Sequence, residues 1–221
     1  MRYAESGITK NEGRLDTPAF HRNHKFVAEV LGQHLSTTTG DVLELASGSG
    51  QHVVVFAKAL PNLTFWPSDL EAEQVQSIIA WRQESDCANI KNAFQLNVTD
   101  QNWGFGEPNK PPQNLAAIIN LNMVHIRPIE VAKNLFRGAG QYLQADGRLF
   151  LYGPFKHDGR HNSAGNAQFD DNLRRQNPEW GVRDIKELEA FAADNGLALN
   201  KTIDMPANNF TLVFGRATAR A

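Results

Sequence analysis

The chain is poor in cysteine, in charge of one sign and in long apolar runs, and each shortage removes a class of protein. Cys87 is its only cysteine, which excludes an internal disulfide framework and a cysteine-based zinc site and suits a reducing compartment. No segment reaches the roughly 18 apolar residues of a membrane span. The first twelve residues carry charge and no apolar run, so neither a leader nor a membrane helix is expected, and a cytoplasmic location follows. Lys and Arg number 22 against 24 Asp and Glu, a formal charge of −2. No general basic field is available for phosphate backbones, and nucleic acid is not the expected partner. The local group Lys156, His157, Arg160, Arg174 and Arg175 reads as a solvated face.

What is present is the composition of a folded globular domain. At 221 residues, 41% hydrophobic and 21% charged, the chain is long enough for one α/β core and is read as a single domain over 1–221. Within it, 1–40 is a helical N-terminal extension and 153–180 an inserted, lid-like segment.

The order of elements is legible from periodicity. Phe20, Phe26, Val27, Val30, Leu31 and Leu35 recur at helical spacing behind Pro18, predicting a leading helix. Residues 41–46 form a short apolar run, SGSG breaks it at 47–50, and Val53, Val54, Phe56, Ala57 and Leu60 resume at helical spacing. This is a strand, a glycine turn and a helix. Strand and helix alternate again through 63–69 and 71–85. Further strands are predicted at 90–98, 116–122 and 148–152, with a loop at 101–113 and a helix over 128–143. Such alternation favours a parallel sheet wound by right-handed crossovers. A last helix at 184–195 stops at Gly196. The strands 197–203 and 210–216 are joined too closely for a crossover helix, so they should pair antiparallel.

In an open parallel sheet the ligand lies beyond the C-terminal strand ends, so the residues directly after each apolar run carry the chemistry. Glu44 begins the segment ELASGSG, in which Ala46, Ser47, Gly48 and Gly50 let the backbone approach a ligand at a helix N-terminus. Asp69 ends the next strand, 19 residues past Gly50, near the spacing at which an acidic side chain accepts hydrogen bonds from ribose hydroxyls. The pair suggests an adenosine-containing cofactor; alone, the glycines read as a tight turn and Asp69 as a helix cap. Val53 stands where a dinucleotide fingerprint has its third glycine, which disfavours a nicotinamide dehydrogenase.

On these residues the chain resembles the class I S-adenosylmethionine (SAM) dependent methyltransferases over nearly its whole length. Residues 44–50 are similar to that family's first motif, with Ala46 at a usual glycine, and Asp69 to its ribose-binding acid. Asn97 and Val98 stand where an acid commonly faces the adenine amino group. Residues 122–125 resemble the fourth-strand motif, and 143–149 the turn into strand five. A closer resemblance, through 46–52, 122–125, 151–156, 178–184 and 205–209, is to a methyltransferase-like family classed as a domain of unknown function. The resemblance implies a doubly wound, mostly parallel seven-stranded sheet with a C-terminal antiparallel hairpin, the Rossmann-like methyltransferase fold. It implies SAM as cofactor, held by Glu44, Ala46, Ser47, Gly48 and Gly50 on one strand end and by Asp69, Leu70, Asn97, Val98 and Asn120 on its neighbours.

Methyl transfer needs alignment first and a base only if the acceptor starts protonated. His125, just past the fourth strand, is the candidate base, since an unperturbed imidazole titrates near neutrality; a packing histidine is the alternative. Asn122 and Tyr152 at strand ends, with Asn208 and Asn209 on the terminal hairpin, are candidates to position a small-molecule substrate. Phe155, Phe169 and Trp180 are candidates to cover it, and Arg22, Asn23 and Lys25 to face the site. His52 reads as a packing residue, and His157 and His161 lack a third ligand, so no metal is predicted. A non-catalytic SAM-binding protein and a methyltransferase of RNA or protein are the competing readings.

Overall fold

The computed structural model describes residues 7–217, which fall into two compact units dividing after Ile119. The first opens with an antiparallel hairpin, β1 (Thr9–Asn11) and β2 (Arg14–Asp16), turned by Glu12 and Gly13 at φ 50° and 84°. Two successive left-handed residues define the tight turn that suits twisted strands. Helix α1 (Pro18–Leu35) follows with Pro at its first position and buries Val27, Val30, Leu31 and Leu35 along one stripe. Then come β3 (Gly40–Leu45), α2 (Gln51–Ala59), β4 (Leu63–Asp69), α3 (Ala72–Glu84), β5 (Phe94–Gln95) and β6 (Leu115–Leu121). Strands β3 and β4 pair in parallel, Val42 opposite Phe65 and Leu45 opposite Ser68. Six of the seven residues of β6 are buried, the continuous apolar character of a strand covered on both faces.

The strand expected over 90–98 is much shorter. Only Phe94 and Gln95 ladder with Ser68 and Asp69, and Ile90 makes one isolated bridge to Phe65. Lys91 and Asn92 are exposed, and Asn97 turns the chain away through its own side chain, so there is no second row of partners to extend the edge.

In the second unit a 3-10 turn, Met123–His125, leads to α4 (Ile129–Tyr142), β7 (Leu143–Gly153), α5 (Ala164–Gln176), α6 (Ile185–Ala193), β8 (Leu197–Met205) and β9 (Asn209–Arg216). Strand β7 starts at Leu143, five residues earlier than the expected 148. Strand β9 pairs antiparallel with both β7 and β8, as the short connection required. The seven-stranded sheet runs β5-β4-β3-β6-β7-β9-β8, the mostly parallel, doubly wound order expected.

The 153–180 segment contains α5, which the sequence did not announce. Only Asp170 and Leu173 of its 13 residues are buried, too few for an apolar stripe to register. Its start is set by Ser163, whose hydroxyl accepts the Asn166 N–H, an N-cap. Phe155 and Trp180 are each 1% exposed, so both ends of the segment are anchored by buried aromatics, and Phe169 is partly buried. No helix among the described residues is long and apolar enough to cross a membrane.

Candidate functional site

The bend between β3 and α2 is built from alternate left-handed residues: Ala46, Gly48 and Gly50 have φ of 54°, 59° and 88°. The two glycines serve different ends. A Cβ on Gly50 would lie 2.6 Å from the Ile78 Cα, so only glycine lets the bend rest on α3. A Cβ on Gly48 would meet nothing within 4 Å, so open space lies where a ligand can approach the backbone. Ala46 takes the same conformation with a methyl group, at a cost of about 1–2 kcal/mol for an L-residue.

The neighbouring strand end is stitched to this bend. Ser47 N–H donates to Ser68 O at 2.9 Å, and the Ser68 and Ser47 hydroxyls both donate to Glu44 O, at 3.0 and 3.2 Å. Asp69 faces the bend: its Oδ2 accepts the Gly48 N–H at 3.0 Å and its Oδ1 the Glu71 N–H at 3.0 Å. Leu70, beside it, is 45% exposed, one of three large apolar side chains so placed among the described residues. Glu44 is buried, and its Oε2 has no hydrogen-bond partner. Burial pushes its carboxyl up to about 8; the Ser47 hydroxyl opposes this, and the negative charge of Asp69 adds to it. Asn97 spends its side chain locally, its Oδ1 accepting from Thr99 N–H and hydroxyl and its Nδ2 donating to Asp100. Val98 is buried, and its carbonyl accepts from the Trp103 indole at 3.2 Å.

Of the candidates from the leading helix, one meets the first turn of α2, just past the glycine bend. Asn23 is buried and its Oδ1 sits 2.8 Å from His52 Nε2. The His52 ring also meets Phe20 and Phe56 edge-on or tilted, and burial lowers it to about 3, with His24 adding to the effect. Arg22 and Lys25 are exposed. Among the described residues no group of three or more His, Cys, Asp or Glu is gathered as a metal site.

In the second unit, the end of β7 closes on one buried imidazole. Asn120 is fully buried. Asn122 adopts φ 62° at the start of the 3-10 turn, and its N–H donates to Tyr152 O at 2.8 Å. His125 has no exposed surface; its carbonyl accepts the Gly181 N–H at 2.9 Å, and its Nδ1 lies 3.4 Å from the Arg183 N–H. An Nδ1 that accepts leaves the proton on Nε2, which is buried without a partner. Burial pulls this imidazole down to about 3, and the nearby Arg183 charge pulls the same way. A Cβ on Gly153 would lie 2.6 Å from His125 Nε2 and 3.0 Å from Asn122 Oδ1, so glycine is what lets the end of β7 reach them. Asn208 and Asn209 precede Phe210, which pairs with Gly153 in the β7–β9 ladder. The Asn208 carbonyl accepts from Asn162 and Asn166 at 2.9 and 2.8 Å, and Asn209 donates to Pro206 O.

Two groups that hold this unit together carry no motif of their own. Arg183 donates to the carbonyls of Val124, Arg127 and Glu179, and so fixes the turn that carries His125. Asp170, 4% exposed, accepts from Lys156, His161, Arg174 and the Val182 N–H at 2.8–3.1 Å. Burial pushes its carboxyl up, but the Val182 N–H, Lys156 and His161 outweigh that and hold it below the usual range.

Residues 14–216 match the model of a family described as protein of unknown function (DUF938), and the chain belongs to that family. Its fold is that of the class I SAM-dependent methyltransferases. An O-methyltransferase family protein from Burkholderia thailandensis superposes with a TM-score of 0.76 at 17% identity, over 91% of this chain and 58% of the other. Mitomycin 7-O-methyltransferase gives 0.73 at 12%, over 89% and 54%. Magnesium protoporphyrin IX methyltransferase from Synechocystis PCC 6803, solved with bound S-adenosylhomocysteine (SAH), gives 0.66 at 15%, over 89% and 83%. The chain spans little more than half the length of the first two.

Proposed function

We propose that the protein is a SAM-dependent methyltransferase that transfers a methyl group in line to a small-molecule acceptor, and that 1–221 works as one such domain in the cytoplasm. The observation that carries this is the Asp69 carboxylate held at 3.0 Å from the Gly48 N–H, beside open space. A carboxylate accepts hydrogen bonds readily from a ribose diol, and the exposed Leu70 next to it offers an apolar surface to a purine. The buried, unpartnered Oε2 of Glu44 fits the same group, because a ligand ammonium would supply the missing donor and favour the ionised carboxyl.

When bound, SAM supplies an electrophilic methyl on a sulfonium. The chain's part is to hold it and orient the acceptor. We assign Glu44, Ala46, Ser47, Gly48, Gly50, Asp69, Leu70, Val98 and Asn120 to cofactor binding, with Asn97 setting the turn that presents Val98. Asn122, Tyr152, Asn208 and Asn209 are assigned to the acceptor, and the 153–180 segment to covering it. Two of the superposable proteins carry O-methyltransferase in their names, which favours a small oxygen acceptor over RNA or protein.

Titration of SAH into the protein tests this directly: micromolar binding that Asp69→Ala abolishes is expected, and binding indifferent to that change would overturn it. One observation favours a second reading, a SAM-binding protein without catalysis. His125, the only candidate base, has no exposed surface and is held neutral to about pH 3, so it has neither ready access to an acceptor nor much basicity. Transfer of label from methyl-labelled SAM to a small molecule of a cell extract separates the two.

A further inference from the structure

The N-terminal strap, residues 14–17, is tied to the glycine bend by two hydrogen-bond relays that run through Ser77 and Gln51. In the first, Leu15 N–H donates to the Ser77 hydroxyl at 2.8 Å and that hydroxyl donates to the Ser49 carbonyl at 2.7 Å. In the second, Thr17 N–H and the Ser49 hydroxyl both donate to Gln51 Oε1 at 2.9 Å, while Gln51 Nε2 donates to Asp16 at 2.8 Å. Ser49 is therefore gripped at both its carbonyl and its hydroxyl, and each grip is shared with a strap amide. Ser77 and Gln51 are 0% and 3% exposed, so a lost partner there is not replaced cheaply by water.

The grip matters because Ser49 lies between Gly48 and Gly50. The Gly48 N–H is the one held by Asp69, and Gly50 rests directly on Ile78, the residue after Ser77. Rotating the Ser49 peptide would move the Gly48 amide and the open space beside it. The strap itself is lightly held: β1 is exposed throughout, and Leu15 is the single buried apolar residue of 9–16. Its other ties include the Trp81 indole, which donates to Leu15 O at 2.9 Å and lies under the Arg14 guanidinium, the His21–Asp16 pair at 2.7 Å, and ion pairs from Lys10 and Arg14 to Glu73 and Glu84. Segments with few buried contacts open locally at low free energy, so a ligand that favours the set bend will favour the docked strap by the same factor.

We infer that Gln51 and Ser77 are positioning residues that make the affinity of the cofactor site depend on docking of the strap. This rests on the methyltransferase reading of that site. The test uses the whole chain with SAH as probe, combining titration calorimetry with amide hydrogen exchange. In the unsubstituted protein, saturating SAH should slow exchange at Leu15 and Thr17, neither of which is assigned to the ligand. Ser77→Ala and Gln51→Met should each weaken SAH about three- to ten-fold, the worth of one buried hydrogen bond, and should abolish that protection while the α3 amides beyond Ser77 exchange as before. If SAH binds but leaves Leu15 and Thr17 exchange unchanged, or if both variants bind within two-fold of normal, the coupling is refuted and the cofactor assignment stands. If the unsubstituted protein does not bind SAH, both fall together.

Discussion

Asp69 and Gly48, on adjoining strand ends 21 residues apart in sequence, share a hydrogen bond of 3.0 Å from backbone amide to carboxylate. The contact makes the bend and the acid one object, so changing either alters both. Asp69→Ala should weaken SAH by about 100-fold or more, the worth of two hydrogen bonds to a charged group, and destabilise the protein by about 1–3 kcal/mol through the orphaned amides. Calorimetric titration and urea denaturation on the same sample measure the two effects.

Gly50 and Ala46 predict opposite outcomes within one bend. Gly50→Ala adds a Cβ 2.6 Å from Ile78 Cα at φ 88° and should cost about 2–4 kcal/mol through overpacking and backbone strain. Ala46→Gly relieves a left-handed alanine at φ 54°. After the entropy of the unfolded glycine is subtracted, it should gain up to about 1 kcal/mol. Denaturant midpoints compared at equal m-value give both signs in one experiment.

Stability should peak near pH 6.5. Glu44 is raised from 4.5 to about 8, so folding takes up a proton there, and its contribution is lost as pH climbs from 4.5 through 8. His52 and His125 are each lowered from 6.5 to about 3, so their contribution is present above 6.5 and lost as pH falls below it. Two histidines outweigh one glutamate between 4.5 and 6.5, and above 6.5 Glu44 acts alone, each proton changing the slope by about 1.4 kcal/mol per pH unit. Melts between pH 5 and 8.5 should show this maximum. Glu44→Gln should flatten the alkaline side and steepen the rise between pH 4.5 and 6.5, where the histidines then act unopposed; a decline above pH 6.5 that survives the substitution would assign it to other groups.

Arg183 spans the carbonyls of residues 124, 127 and 179, a task suited to a planar fork of donors. Arg183→Lys keeps the charge but not the fork and should cost about 2–3 kcal/mol, read by thermal unfolding. In an assay of methyl transfer, no inflection between pH 5 and 8 should come from His125, because it stays neutral throughout that range.

The layers of the fold were legible where burial is one-sided or complete. The stripe of α1, the unbroken run of β6 and the close junction before β9 each leave a periodic or compositional mark. The hairpin at 9–16 does not, because β1 is exposed along its whole length, and α5 buries only two residues. At the site, SGSG and Asp69 stood out because glycine and acid types at that spacing carry a specific backbone and ribose chemistry. Gln51, Ser77, Asp170 and Arg183 did not, since their partners are backbone groups or side chains brought near only by folding. The burial of His125 was equally hidden: a histidine after a strand reads the same whether or not Phe155 and Gly153 close over it.

The four donors that converge on Asp170 come from residues 156, 161, 174 and 182, on either side of it in the chain. One carboxylate therefore clasps both ends of the segment that contains α5. A clasp of this kind does not fray residue by residue; it is closed or it is sprung. The amides from 156 to 182 should accordingly exchange with a common opening free energy, as one cooperative block whose hinges lie outside it.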